Sequence, residues 1–234
     1  MISFVIPYRK RPGMIDGYIA NISRYYNKFE IILADQADDG PFLRGQLCNL
    51  GFLESQGDLI VFNDIDIRYF GKMEFSKMMR KAKHPFVPFH TTTEVKELKG
   101  GEFEKGKVRH RPSGWGACAV FTREQFQVSN GFSNLCIGWG AEDNIMHKRI
   151  NYQRINGTIG HVSHKSAGKL WIPQHTRNYN LWRTEEKRDA KCDSYRETVY
   201  KKKDRRRYKG LQNVVIVSFY DIGVPENFKY KDLL

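Results

Sequence analysis

Apolar positions along the chain come in two rhythms. Continuous apolar runs occur at residues 3–7 (SFVIP), 29–34 (FEIILA) and 58–63 (DLIVFN). Runs this short and this apolar read as strands buried on both faces. Leu43, Leu47 and Leu50 recur at helical spacing, which predicts a helix over 42–56. A second helix is predicted over 72–82. Strands alternating with helices indicate an α/β sheet.

The rhythm then fades. Residues 90–113, with Gly100-Gly101, read as an irregular excursion. Residues 114–122 (GWGACAVFT) predict a strand and 123–129 a short helix. Gly138-Trp139-Gly140-Ala141-Glu142-Asp143 reads as a turn whose acids open a helix running to about Asn151. Further strands are predicted at 158–164 and 213–220 (NVVIVSFY), with 165–180 irregular between them.

Length and composition narrow this picture. The 234 residues allow one substantial domain with a C-terminal appendage. Aromatics at 13% argue against disorder. No apolar run reaches the roughly 18 residues that span a bilayer. The first residues enter a strand directly, without the pattern of a signal peptide. Four scattered cysteines (Cys48, Cys118, Cys136, Cys192) form no C-x-x-C pair, so reduced and mostly buried thiols in a cytoplasmic protein are expected.

The net charge is +13, and it is uneven. Residues 183–209 hold twelve basic and six acidic side chains. The plain reading of this stretch is a solvated helix plus a disordered segment. Such a surface also attracts nucleic acid or anionic headgroups.

Four groups of residues could carry chemistry. Asp64-Ile65-Asp66 follows an apolar strand, and ligands of open α/β sheets bind beyond the carboxyl ends of strands. On an extended chain the two carboxylates would project to one side, one toward a metal and the other toward a sugar or ribose. His161 and His164, three residues apart, can converge on a metal; with a carboxylate they make a mixed N/O site for Mn²⁺, Fe²⁺ or Zn²⁺. They read equally well as two surface histidines. Glu142-Asp143 follows Trp139, a platform for a sugar face set between glycines, yet acids also suit any helix start. Arg9, Lys10 and Arg11 after the first strand, with Arg44 near a helix start, suit a diphosphate.

The four groups occur together and in order, and here the chain resembles the β-1,4-galactosyltransferase family. Ile6-Pro7-Tyr8-Arg9-Lys10-Arg11 resembles its I-P-F/Y-R-x-R opening. Asp35-Gln36-Ala37, Phe42-Leu43-Arg44-Gly45 and Asn49-Leu50-Gly51-Phe52 resemble its N-Q-A, F-N-R-A and N-V-G-F segments. Phe62-Asn63-Asp64-Ile65-Asp66 resembles F-x-D-V-D. Glu124-Gln125-Phe126, Asn130-Gly131-Phe132 and Gly138 to Asp143 resemble E-Q-F, N-G-F and G-W-G-G-E-D, the most specific of the blocks. His161-x-x-His164 falls where the family has M-x-x-H or a His pair.

The resemblance implies a single GT-A type, Rossmann-like nucleotide-sugar-binding domain with a mixed central sheet. Residues 1–180 would be catalytic. Residues 181–234 would be a basic segment ending in a strand on the same domain. It implies an inverting transferase moving Gal or GalNAc from a UDP-sugar to a glycan or glycolipid hydroxyl. Asp66, His161 and His164 would hold Mn²⁺. Arg9, Arg11, Phe42, Arg44 and Asp64 would bind the nucleotide. Asp143 would be the base, Glu142 would hold the donor sugar, and Trp139 would close over the site. Residues 165–180 would be a lid ordering on donor binding.

The chain departs from the family at several points. Asn144 stands where the family has a third acid that contacts the acceptor. Ala141 replaces a glycine, and Gly114 stands where a tyrosine crowds C2 of the donor sugar. The family's disulfide cysteines and membrane anchor have no counterpart here, which leads to the expectation of a cytoplasmic relative with peripheral contact to an anionic membrane. Two other classes compete: a basic nucleic-acid-binding protein, and a glycoside hydrolase using two carboxylates. The first leaves the acidic and histidine groups without a role; the second needs neither the metal ligands nor the arginines.

Overall fold

The computed structural model describes residues 1–82, 85–87, 90–97, 103–111, 117–134, 136, 142–152, 160–161, 170–172, 202–220 and 222. The apolar runs become the centre of a sheet. Strand β1 (Ile2–Tyr8) lies between β2 (Phe29–Gln36) and β3 (Leu59–Asn63) and is parallel to both, with Val5 opposite Ile32 on one side and Phe62 on the other. All five β3 residues are buried, as a strand covered on both faces requires.

The sheet extends in both directions. Strand β12 (Val214–Tyr220) joins β2 in parallel, and β11 (Lys202–Arg207) pairs antiparallel to β12 at the edge. On the other side β8 (Cys118–Thr122) runs antiparallel to β3, followed by β5 (Phe86–Val87) and β9 (Gly160–His161). The described residues thus form an eight-stranded mixed sheet, in keeping with the α/β reading. A second sheet holds β4 (Arg68–Tyr69), β10 (Leu170–Ile172), β6 (His90–Glu97) and β7 (Phe103–Arg111).

Alternation along β1 assigns the layers. Phe4 and Ile6 face helix α1 (Pro12–Tyr25), which contributes Ile15, Tyr18, Ile19 and Ile22. Val5 points to the opposite face, beside Phe52 of α2 (Arg44–Glu54), Phe126 of α4 (Arg123–Val128), and Met146 and Ile150 of α5 (Glu142–Tyr152). Gly51 allows α2 to press onto the sheet: a Cβ there would lie 2.5 Å from a methyl of Val5. Helix α3 (Phe75–Ala82) adds Phe75 and Met79 to the first layer.

Several expectations change. The pattern reading contained no helix over Pro12–Tyr25. Gly13 and Gly17 dilute its pattern, although Pro12 at the first turn is compatible with a helix start and the apolar spacing is helical. The described part of the segment read as an irregular excursion is regular: β6 and β7 pair antiparallel, with a bulge between Thr93 and Val95. These strands are rich in Thr and charged residues, so they lack the apolar alternation that marks a half-buried strand. Residues 202–207 of the basic segment are a strand rather than a solvated helix; residues 183–201 lie outside the described residues. The helix expected over 72–82 begins at Phe75, and the one over 42–56 narrows to Arg44–Glu54. Cys48, Cys118 and Cys136 are buried and form no disulfide; Cys192 lies outside the described residues.

Candidate active site

The strand order reverses at β1, whose two neighbours β2 and β3 are reached in opposite directions. Crevices of α/β sheets open at such a point, beyond the carboxyl ends of the strands. The segments leaving β1, β2 and β3 there are residues 9–11, 37–43 and 64–67. They carry Arg9, Arg11, Phe42, Asp64 and Asp66 of the residues singled out from the sequence.

The segment after β1 turns sharply at Lys10, which has a left-handed backbone (φ 48°). Arg9 and Arg11 leave it toward different partners. The Arg9 guanidinium lies over the Phe42 ring, 5.2 Å from its centre, and donates to the Gly40 carbonyl. Lys10 pairs with Asp39. Arg11 reaches toward the buried Asp66, with Nη1 3.8 Å from Oδ2.

Asp64 and Asp66 do not sit on an extended chain. The Ile67 amide donates to the Asp64 carbonyl at 3.1 Å, closing a turn. The turn sends the two carboxylates to partners from opposite layers. Asp66 turns to Arg11 at the start of α1. Asp64, 39% exposed, accepts from Arg44 Nε at 3.0 Å and pairs with its Nη2 at 2.9 Å. Arg44 is the first residue of α2, on the other face of the sheet.

Arg44 links a third carboxylate. Its Nη1 lies 3.8 Å from Oε1 of Glu142. Helix periodicity explains why Glu142 is inside. Glu142, Ile145, Met146, Arg149 and Ile150 form the buried stripe of α5, while Asn144 is exposed and Asp143 half-exposed. Burial pushes the Glu142 carboxyl above the ordinary range; Arg44 pulls it back, and Asp143 and Asp64 add to the rise. Its Oε2 is buried with no hydrogen-bond partner among the described residues. Burial works against the Arg44 charge, but Asp64, Cys48 and Glu142 outweigh it and hold the guanidinium protonated. Gly45 permits the close approach of α2 to the segment after Phe132: a Cβ there would meet the Ser133 carbonyl at 2.6 Å.

Of the two histidines, His161 is placed by its backbone. Strand β9 is parallel to β5, which like β3 runs antiparallel to β8. It therefore points the same way as β3, and His161 at its end faces the same rim of the sheet as Asp64 and Asp66. His164, Trp139 and Gly114 lie outside the described residues, as do residues 165–169 and 173–180 of the segment read as a lid; its residues 170–172 are strand β10.

The structure also gives roles to residues that the sequence reading named only within the resemblance, and to Arg149, which it passed over. Gln36 braces the loop ahead of Arg44, accepting from the Leu43 amide at 2.9 Å and donating to the Pro41 carbonyl at 2.8 Å. Asn49 of α2 clasps the Asn130-Gly131-Phe132 turn, donating to the Phe132 carbonyl and accepting from its amide, both at 2.9 Å. That turn has two successive left-handed residues (φ 65° and 70°), which Asn and Gly tolerate best. Arg149 donates to both of their carbonyls, tying the turn to α5. The available signal was polar residues at buried helical positions, visible only once the apolar stripe of each helix is fixed.

A mixed sheet with its crevice at this switch point is a fold of the GT-A type, and comparisons agree. The sequence profile of a family described as the N-terminal domain of galactosyltransferase matches residues 102–175. A β-N-acetyl-D-glucosaminide β-1,4-N-acetylglucosaminyl-transferase of Lymnaea stagnalis is 30% identical over 182 residues, 71% of this chain and 35% of that protein. Human β-1,4-galactosyltransferase 4 is 27% identical over 188 residues, 76% of this chain and 49% of that protein. The crystal structure of a mutant Drosophila β-1,4-galactosyltransferase 7, in complex with manganese, UDP-Gal and xylobiose, superposes with a TM-score of 0.63 at 16% identity, covering 99% of this chain and 96% of that one. Together these matches support a member of the β-1,4-galactosyltransferase family. It spans between about a third and a half of the length of these two curated relatives.

Proposed function

We propose that the chain is a metal-dependent, inverting glycosyltransferase that moves a hexose, Gal or GalNAc, from a UDP-sugar to a glycan or glycolipid hydroxyl. The observation that carries this reading is the charged series Arg11–Asp66, Asp64–Arg44–Glu142, laid across the strand-order switch with Asp143 open beside it. The manganese, UDP-Gal and xylobiose bound by the Drosophila relative support the donor, metal and acceptor classes.

The donor set suits a divalent cation. Asp66 is a buried carboxylate at the end of β3, and His161 ends a strand directed at the same rim. Asp66, His161 and His164 would hold Mn²⁺. When bound, the ion supplies Lewis-acid charge that offsets the developing charge on the departing UDP. Arg9 stacked on Phe42, Arg11, Arg44 and Asp64 bind and orient the nucleotide. Glu142 offers its second oxygen to a hydroxyl of the donor sugar. Asp143 takes the proton of the acceptor hydroxyl as that oxygen bonds to the anomeric carbon and the bond to the diphosphate breaks from the opposite face. Trp139 closes over the sugars, and Asn144, exposed one residue beyond the base, faces the acceptor side.

Thermal shift tests this reading directly. UDP with Mn²⁺ should raise Tm well above either alone, since saturation at 100 times Kd adds about 2.7 kcal/mol to the folded state. Stabilisation by oligonucleotides, with none by UDP and Mn²⁺, would overturn it. Asp66→Ala and His164→Ala should each abolish the Mn²⁺-dependent part of the shift.

A further inference from the structure

The Asp64–Asp66 turn is held from below by a buried polar network that the reaction scheme does not use. Asn63, immediately before the turn, is fully buried. Its Oδ1 accepts two phenol hydroxyls, Tyr18 from α1 at 3.0 Å and Tyr69 from β4 at 2.6 Å. Tyr69 follows the turn, so its hydroxyl reaches back across the loop and closes it onto Asn63. The backbone of Tyr69 is gripped in turn by Asn21 of α1, whose Nδ2 donates to the Tyr69 carbonyl at 2.8 Å and whose Oδ1 accepts the Tyr69 amide at 2.6 Å. Arg68 donates to the carbonyls of Ile65 and Ile67 inside the turn. The two ends of the turn are thus tied both to each other and to one helix.

Stability alone does not call for this arrangement. Tyr18 and Tyr69 lie among Phe4, Ile6, Phe75 and other apolar side chains. Replacing all partners of a buried hydrogen-bond network by apolar groups of the same shape is close to neutral, whereas a network fixes one geometry. Burial holds both phenols well above the ordinary tyrosine value, so both remain donors.

We propose that Tyr18, Asn21, Asn63 and Tyr69 are positioning residues that set the direction of the Asp64 and Asp66 carboxylates toward the nucleotide and its metal. The inference rests on the transferase reading above. It places part of the donor site's precision in α1, a helix whose own side chains from Met14 to Tyr25 take no part in the reaction scheme.

The test uses the full chain and two variants, Asn21→Ala and Tyr69→Phe, with Tyr26→Phe as the matched control. Tyr26 sits in the same core, and its hydroxyl donates to the Met73 carbonyl and accepts from the Met73 amide, both at 3.1 Å, away from the turn. Mn²⁺ affinity is read by the loss of the free-ion EPR signal in the presence of UDP, UDP affinity by calorimetry, and folding by Tm. Groups that orient metal ligands typically change metal affinity 10–100-fold, so both variants should weaken Mn²⁺ binding by about tenfold. Tyr26→Phe should lose comparable Tm and keep wild-type affinity. Wild-type Mn²⁺ and UDP affinities in the two turn variants would overturn the proposal, as would equal weakening in Tyr26→Phe. If Tyr69→Phe does not fold, the half-buried Asn21→Ala decides alone. Failure of the wild type itself to bind Mn²⁺ and UDP would instead remove the transferase reading, and this proposal with it.

Discussion

Arg44→Met keeps most of the side-chain stem and removes the charge between Asp64 and Glu142. Two costs compete. Left beside its ordinary neighbours, the Glu142 carboxylate loses an attraction that acts over 3.8 Å. With an effective dielectric constant near 20 such an interaction is worth about 4 kcal/mol. The carboxyl can instead take up a proton. From its ordinary value of 4.5, protonation at pH 7 would cost about 3 kcal/mol at 1.36 kcal/mol per unit, and the raised native value makes it cost less. The second route is cheaper and therefore sets the penalty. Asp64 adds less than about 1 kcal/mol, because at 39% exposure water replaces its partner. The variant should lose no more than about 4 kcal/mol at pH 7. At pH 5 protonation costs at most about 0.7 kcal/mol, so the loss should shrink to no more than about 2 kcal/mol. Urea unfolding at both pH values, with unchanged slope, measures this. Adding Glu142→Gln should recover most of the loss at pH 7. An equal penalty at pH 5 and pH 7, or a double variant no more stable than Arg44→Met, would refute the reasoning.

Asp143→Asn keeps size but accepts no proton, so kcat should fall by about 10²–10⁴-fold with UDP binding intact; wild-type kcat would place the base elsewhere. Glu142 binds its proton more tightly in the native state than in the unfolded chain. Its contribution to stability is therefore complete below 4.5 and declines as pH rises through the raised native value, and Glu142→Gln should flatten the fall in Tm above pH 5. Gly114 has no side chain to crowd an acetamido group, so UDP-GalNAc should be accepted at least as well as UDP-Gal, and Gly114→Tyr should shift donor competition toward Gal; an unchanged ratio would count against the steric argument.

The centre of the sheet was legible because β1, β2 and β3 are buried on both faces and their sequences are apolar throughout. The placement of Arg11, Arg44, Asp64, Asp66 and Glu142 was legible because each follows or begins an element that the pattern marks. The β6–β7 pair was hidden by its Thr and charged residues, and α1 by its two glycines. The direction of each carboxylate was hidden as well. An extended Asp64–Asp66 segment would have aimed both side chains alike. The turn closed by Ile67, and held by Tyr69 and Asn21, separates them, and Asn21 lies 48 positions from Tyr69. Glu142 and Asp143 are adjacent in sequence but differ in burial because α5 turns about 100° per residue.

The parallel pairing of β2 with β12 also shapes how the chain can fold. Residues 31–36 find their partners at 214–219, so one side of an apolar strand waits for chain made much later. At 5–20 residues per second a ribosome takes roughly 10–35 s to cover that interval. Throughout it, β2 presents an open row of amides and carbonyls beside its apolar side chains, an invitation to pair with another molecule. The emergence of β11 and β12 ends that exposure. The last strand of the sheet is then KKDRRR, with Arg205, Arg206 and Arg207 opposite Val217, Ile216 and Val215. A second copy approaching this edge would meet cations on both faces. The charge that first suggests a polyanion partner thus also gives the finished sheet an end at which further strands are repelled.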